Sequence, residues 1–298
     1  MGLCKFENKN FLLVDIPGTY SIMSNSEEEE IARDFICFGN PNATVVILDA
    51  TCLERNLNLL YQIMEITPNV IACVNLLDEA EKKGIHIDLN LLSLKLGIPV
   101  VGTTARKTKT LKNLIKTIND VCTKKTIPTP NLIEYDPIIE NCVIDVSKKI
   151  DNMLPNEKKY LKRWISLKLI DGDEKIIKSI SSNIFCNNRN SNTSEINNYL
   201  TNYNLPKNIK DNLKDNLVSS ILNKAEIVQK SVCSYQNKSY NSKDRKIDKI
   251  LTSKIFGIPI MLSFLAIIFW ITIIGANYPS AILSNMFGFF RWETTCYV

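Results

Sequence analysis

Histidine is almost missing. His86 is the only one among 298 residues, so no pair of imidazoles exists to build a metal site. A lone histidine in KKGIHIDLN, without a cysteine or carboxylate at ligand spacing, reads as structural. Cysteine is present nine times, but no two fall at C-x-x-C spacing, which removes the usual zinc and thiol-redox patterns. The odd count and irregular spacing fit a reducing cytoplasm. Inside an apolar run such as VIACVN, Cys73 behaves as a small hydrophobe. No G-x-G-x-x-G occurs, which argues against a dinucleotide-dependent dehydrogenase. MGLCKFENKN has no apolar h-region, so no secretory signal is predicted, and Phe6 breaks the myristoylation pattern. Charge of one sign is also lacking. Lys plus Arg number 36 against 31 for Asp plus Glu, a net +5, and the mixture predicts no nucleic-acid partner.

What is present is alternation. LCKFEN and FLLVD flank a polar turn and predict a β-hairpin. TVVILDA (44–50) and NVIACVN (69–75) are unbroken apolar runs, as expected of parallel strands buried on both faces. IPVVGTT (98–104) is a third. Helical spacing fills the intervals at 52–66, 89–97 and 111–122. The order predicts a doubly wound α/β sheet over residues 1–122. A proline-bearing linker follows (123–131). Residues 132–234 then carry only helical patterns, predicting a small all-helical domain with no strands. A polar, basic tether (235–254) leads to residues 255–298. No charge falls between Ile255 and Phe290, and Gly257–Ala276 supplies the ~20 residues that a transmembrane helix requires. Arg245, Lys246, Lys249 and Lys254 precede it, which places residues 1–254 in the cytoplasm.

Three stretches end strands on one edge of this sheet, where open α/β sheets bind ligands. In Asp15-Ile-Pro-Gly18 the carboxylate suits a water-mediated hold on Mg²⁺, and Gly18 lets backbone approach a phosphate. The plain alternative is a Pro-Gly turn. In Asn75-Leu-Leu-Asp78 the Asp carboxylate matches the N1–H and amino donors of guanine, which adenine does not pair, and Asn75 is placed to brace loops. The alternative is an N-cap Asp. Thr104-Ala105 ends the third strand, with backbone available to the guanine O6 or simply closing the strand. Other features read more plainly. Glu27–Glu30 is an acidic helix start at the positive dipole end, Gly39–Asn42 a turn into the next strand, and residues 105–107 a basic surface loop. Cys296 and Met286 lack partner spacing for a soft metal.

The order D-x-x-G, strand ending DAT, N-x-x-D, then T-A is that of guanine-nucleotide elements in GTPases. DIPGTYSIMSNSEEEEIARDF, VNLLDEAEKKGIHIDLNLLSLKLGIPVVGTTARK and KILTSKIFGIPI resemble the ferrous iron transport protein B family over nearly all of residues 1–280. Leu76 fits that family's N-x-x-D variant. The resemblance implies a cytoplasmic G domain binding GTP or GDP with Mg²⁺. It also implies a helical domain affecting nucleotide release and a membrane domain moving Fe²⁺ across a bacterial inner membrane. By matching motif, Asp15 and Gly18 would serve Mg²⁺ and γ-phosphate, Asn75 and Asp78 the guanine, and Thr104 and Ala105 the base loop. Tyr20–Glu30 would be the second switch.

One element of that family is missing. No G-x-x-x-x-G-K-[ST] occurs, and its backbone amides, lysine and hydroxyl normally cradle the phosphates. The expectation is therefore an incomplete P-loop GTPase-type sheet, lacking the first strand and phosphate loop, then the helical domain and one transmembrane helix. Nucleotide affinity should be weak, with no GTP hydrolysis by this chain alone. The expected partners are membrane lipid and a separate polypeptide carrying the phosphate loop or the remaining membrane helices. The competing readings are a membrane-anchored, non-catalytic interaction module and a truncated, non-working product.

Overall fold

The computed structural model describes residues 1–7, 9–19, 21, 26–150, 159–172, 174–180, 213–235, 253 and 258–273. They fall in two compact units, Met1–Gln236 and Asn237–Val298.

In the first unit, β1 (Gly2–Phe6) and β2 (Lys9–Leu13) form the expected antiparallel hairpin, with Phe6 opposite Lys9 at the turn. Helix α1 (Glu27–Phe38) follows. Ser26 caps it, its Oγ accepting from Glu29 N at 3.3 Å. Four glutamates fill the first turn, where the helix dipole favours them. Gly39 closes α1, and the chain turns into β3 (Thr44–Asp49). A short 3₁₀ turn leads to α2 (Leu53–Ile66). Then come β4 (Val70–Asn75), α3 (Leu77–Lys82), β5 (Ile85–Ile87), α4 (Leu89–Leu96), β6 (Val100–Gly102) and α5 (Thr108–Cys122).

Strands β3, β4 and β6 form a parallel sheet in that order. Val70, Ile71, Ala72 and Val74 of β4 are fully buried, which is why the central strand reads as an unbroken apolar run. Among the described residues the hairpin is hydrogen-bonded to neither edge of this sheet. The expectation of one sheet edge presenting all three strand ends is thereby corrected. β4 and β6 share an edge, while Asp15 follows a strand of a separate two-stranded sheet.

The helical part contains α6 (Pro137–Ile150), α7 (Lys159–Asp171), α8 (Glu174–Ile180) and α9 (Leu213–Val232). The α6 sequence pattern, with Ile139, Val143, Val146 and Ile150 at helical spacing, buries those side chains. They join one apolar cluster with Leu57, Leu60 and Met64 of α2. The expectation of no strands after residue 131 is corrected by β7 (Cys233–Tyr235), which pairs antiparallel with β5. His86 sits in this pair opposite Ser234 and is half-buried. Three-residue strands carry too little periodicity to be read from sequence.

Polar contacts fix the helices to α2. Buried Glu65 accepts from Tyr135 Oη at 2.7 Å and from Arg163 Nη1 at 3.1 Å, and Arg163 Nη2 reaches Glu140 at 2.6 Å. Burial raises the Glu65 carboxyl above its ordinary range, against the opposing pull of Tyr135 and Arg163. The tyrosine is itself pushed up by burial and by Glu65.

In the second unit, residues 258–273 are helical and expose apolar side chains all round, among them Ile258, Phe264, Ile267 and Trp270. Among the described residues no helix is long and apolar enough to cross a membrane. The predicted span Gly257–Ala276 extends beyond the described helix at both ends. Met286 and Cys296 lie outside the described residues.

Candidate functional site

The parallel register aligns Asp49 with Asn75, and Val74 with Gly102, so β3, β4 and β6 end together. Beyond these tips the chain makes two loops that hold each other. Asn75 Oδ1 accepts from Thr103 Oγ1 at 3.1 Å and from Ala105 N at 3.3 Å. Thr103 N donates to Val74 O at 2.7 Å, and Leu77 N to Thr103 O at 3.5 Å. The predicted bracing role of Asn75 therefore has donors from the neighbouring loop.

Leu76 adopts φ 60°, the left-handed region, unusual for leucine and worth about 1 kcal/mol of strain. The bonds on either side of it hold the turn, and α3 starts at once. Gly102 makes room for this approach. A Cβ there would lie 2.6 Å from both Leu77 Cδ1 and Leu89 Cδ1, so the smallest residue permits α3 and α4 to cover β6.

Asp78 sits in the first turn of α3. The cap position belongs to Leu76, with no side-chain cap bond, so the N-cap alternative for Asp78 does not hold. Asp78 Oδ1 is buried and has no hydrogen-bond partner. Leaving such an oxygen unmet costs about 1–3 kcal/mol. A planar ligand offering adjacent N–H donors would satisfy it, which is the donor set of the guanine edge. The residues at this corner thus fit a guanine base.

Thr104 and Ala105 are engaged within their own loop. Thr110 Oγ1 accepts from Thr104 N at 3.3 Å and donates to Thr104 O at 3.1 Å, and Lys107 N donates to Thr104 O at 2.7 Å. Of the Thr104-Ala105 backbone, expected to be available to a guanine O6, the Ala105 N–H is directed to Asn75.

The Asp15–Gly18 stretch differs. Asp15 and Gly18 are exposed, and a Cβ on Gly18 would meet nothing within 4 Å. Ile16 packs on the core, and Ser21 Oγ donates to Gln62 Oε1 at 3.1 Å, so the turn is held against α2. Tyr20 and residues 22–25 of the expected switch lie outside the described residues. For the phosphates the donor set is thin, since no G-x-x-x-x-G-K-[ST] is in the sequence. Among the described residues no cluster of three His, Cys, Asp or Glu could hold a metal ion.

Two family models cover most of the chain. The model described as Ferrous iron transport protein B matches residues 1–118, and the FeoB cytosolic helical domain model matches residues 135–254. The chain belongs to the ferrous iron transport protein B (FeoB) family. The Fe(2+) transport protein A/Fe(2+) transporter FeoB fusion protein of Porphyromonas gingivalis is 30% identical over 284 residues, covering 93% of this chain and 33% of that protein. The Fe(2+) transporter FeoB of Campylobacter jejuni is 32% identical over 167 residues, 53% of this chain and 27% of the relative. The chain thus spans about a third or less of these relatives' length. Among solved structures, the cytosolic domain of the T. maritima FeoB iron transporter in a GDP form is 27% identical. It has TM-score 0.62 and covers 78% of this chain and 84% of that one. The GMPPNP form gives TM-score 0.64 at 24% identity, covering 78% and 85%, a likeness of fold.

Within this FeoB chain two bracing residues escaped the sequence reading. Thr103 links Cys73, Val74 and Asn75 through its hydroxyl, and Thr110 closes the base loop from α5. The only signal was a run of small hydroxyl residues after a short strand, which is common in turns generally.

Proposed function

We propose that this chain is the nucleotide-sensing portion of a GTP-dependent ferrous iron transporter of the bacterial inner membrane. It supplies guanine recognition and switch elements and does not hydrolyse GTP by itself. The observation that carries the reading is Asp78, a buried carboxylate oxygen without a partner, at strand tips already braced by Asn75 and Thr103. In this reading Asp78 binds the guanine edge, with Thr104 and Ala105 forming its floor. Asp15, through water, and Gly18 face Mg²⁺ and the terminal phosphate when nucleotide is bound. Fe²⁺ is the cargo of the whole transporter and not of this portion.

The phosphate cradle comes from another polypeptide segment. Among the described residues β3 pairs only with β4, and the hairpin strands pair only with each other. A further parallel strand against β3 would bring a phosphate loop to the edge where Asp49 and Asn75 end. The all-round apolar helix at 258–273 supports a membrane anchor over Gly257–Ala276, since such a helix is stable only when buried or in lipid. Residues 1–254 then face the cytoplasm.

The test is a nucleotide titration of the full chain with fluorescent GDP and ADP. GDP should bind weakly but in preference. Asp78→Asn should turn the preference toward a xanthine nucleotide, because the amide donates to the carbonyl that replaces the guanine amino group. Equal binding of GDP and ADP by the unaltered chain would refute the reading. A second reading, a non-catalytic anchored interaction module, rests on the same missing cradle and predicts no nucleotide effect at all.

A further inference from the structure

The guanine corner leaves one strongly charged surface unused. Arg106, Lys107, Lys109, Lys112, Lys116, Lys124 and Lys125 are all exposed on α5 and the turns at its ends. Asp120 is the one acid among residues 105–125. At helical spacing Lys109, Lys112 and Lys116 share one face, opposite Leu111, Leu114, Ile115 and Ile118. No described carboxylate pairs with those three lysines. Like charges at such spacing repel, so an anionic surface would relieve the face. Lys9 extends it to the hairpin, its Nζ donating to Asn119 Oδ1 at 3.2 Å.

Its position indicates which anion. The Arg106 guanidinium is near enough to the Lys82 ammonium to oppose its charge. Lys82 ends α3, the chain proceeds to β5, and β5 pairs with β7, where this unit ends. Arg106, just before α5, is thus within electrostatic reach of the α3 end from which the chain enters the β5–β7 pair. The intervening sequence adds Lys238, Lys243, Arg245, Lys246, Lys249 and Lys254. A single-stranded nucleic acid would want aromatic side chains to stack its bases, and residues 105–125 contain none.

We propose that the lysine face of α5 docks on the anionic headgroups of the bilayer that residues 257–276 enter. This rests on the membrane-anchor reading above. Juxtamembrane cations gain from the negative surface potential of the leaflet and lose that gain beyond a Debye length.

The full chain is reconstituted into phosphatidylcholine vesicles and into vesicles with about one-third phosphatidylglycerol. An impermeant amine reagent and mass spectrometry then report each lysine. Labelling of Lys109, Lys112 and Lys116 should fall about fivefold in the anionic vesicles and recover near 0.5 M salt, where screening is complete within a few ångströms. Exposed Lys224 on α9 should not change. The K109E/K112E/K116E variant should float with both vesicles, keep its GDP affinity, and lose the salt-sensitive protection of neighbouring Lys124 and Lys125. Insertion with equal labelling in both vesicles overturns the docking and leaves the anchor standing. Failure to float with either vesicle overturns both. Protection by RNA in place of vesicles overturns it in favour of a nucleic-acid surface.

Discussion

Two parts of the proposed nucleotide edge are built on different terms. Around Asn75 the loops are bonded to each other, a leucine is held at positive φ, and a buried carboxylate oxygen waits for a donor. Around Asp15 the chain is exposed, and Gly18 has no neighbour that would object to a side chain. The first region is braced by bonds between its own loops, while the second is held only from one side, by Ile16 on the core and Ser21 on Gln62. In the proposed function, the cost of ordering a binding loop is met more during folding at the Asn75 side and more at binding at the Asp15 side.

The comparison takes α2 as a fixed support behind both regions. Arg163→Ala should break it most severely. It leaves Glu65 buried with one donor fewer, a loss of about 3 kcal/mol, read as a fall in the urea midpoint with both regions loosened. An unchanged midpoint would mean that α2 is held by apolar contacts alone. Next comes Asp78→Ala. Removing the unmet oxygen should leave the ligand-free chain as stable or up to about 1–3 kcal/mol more stable, while guanine preference disappears. A loss of stability together with intact GDP preference would reverse the assignment.

The glycines give a smaller and more direct contrast. Gly102→Ala must displace both Leu77 and Leu89 and should cost about 1 kcal/mol. Gly18→Ala should stay within about 0.5 kcal/mol. Equal effects in parallel urea melts would show that the two regions are not differently packed. The least effect is on pH dependence. The Glu65 carboxyl is raised in the folded state, so the folded chain binds the extra proton. Its contribution is fully present below the unfolded carboxyl value, near 4.5, and is lost as pH rises through the folded one. Glu65→Gln should therefore flatten the decline of the urea midpoint across the mildly acidic range. A decline just as steep in the variant would place the titrating group elsewhere.

Long elements with clear periodicity were legible in advance. The pattern of α6 matched its helix over Pro137–Ile150, and β3 and β4 fell within one residue of the apolar runs that predicted them. That Asn75 ends a strand and Asp78 opens the following helix was legible from the apolar run and the polar residues after it. Thr103 and Thr110 were not, since nothing in a run of threonines says which hydroxyl will meet which loop. Pairing of β5 with β7 was equally hidden. Residues 85–87 and 233–235 are far apart in the chain, and each is too short to declare its period.

The sequence by itself determined the alternation of strand and helix, the family, the residue types at the strand tips, and the absence of a G-x-x-x-x-G-K-[ST] motif from these 298 residues. These depend on local periodicity and on side-chain chemistry, which composition and order carry directly. Only the tertiary structure decided that the strand before Asp15 pairs apart from β3, β4 and β6 among the described residues, that Asp78 keeps a buried oxygen without a partner, and that the α5 lysines are exposed without a described carboxylate partner. Those are properties of what surrounds an atom, and distant segments supply the surroundings.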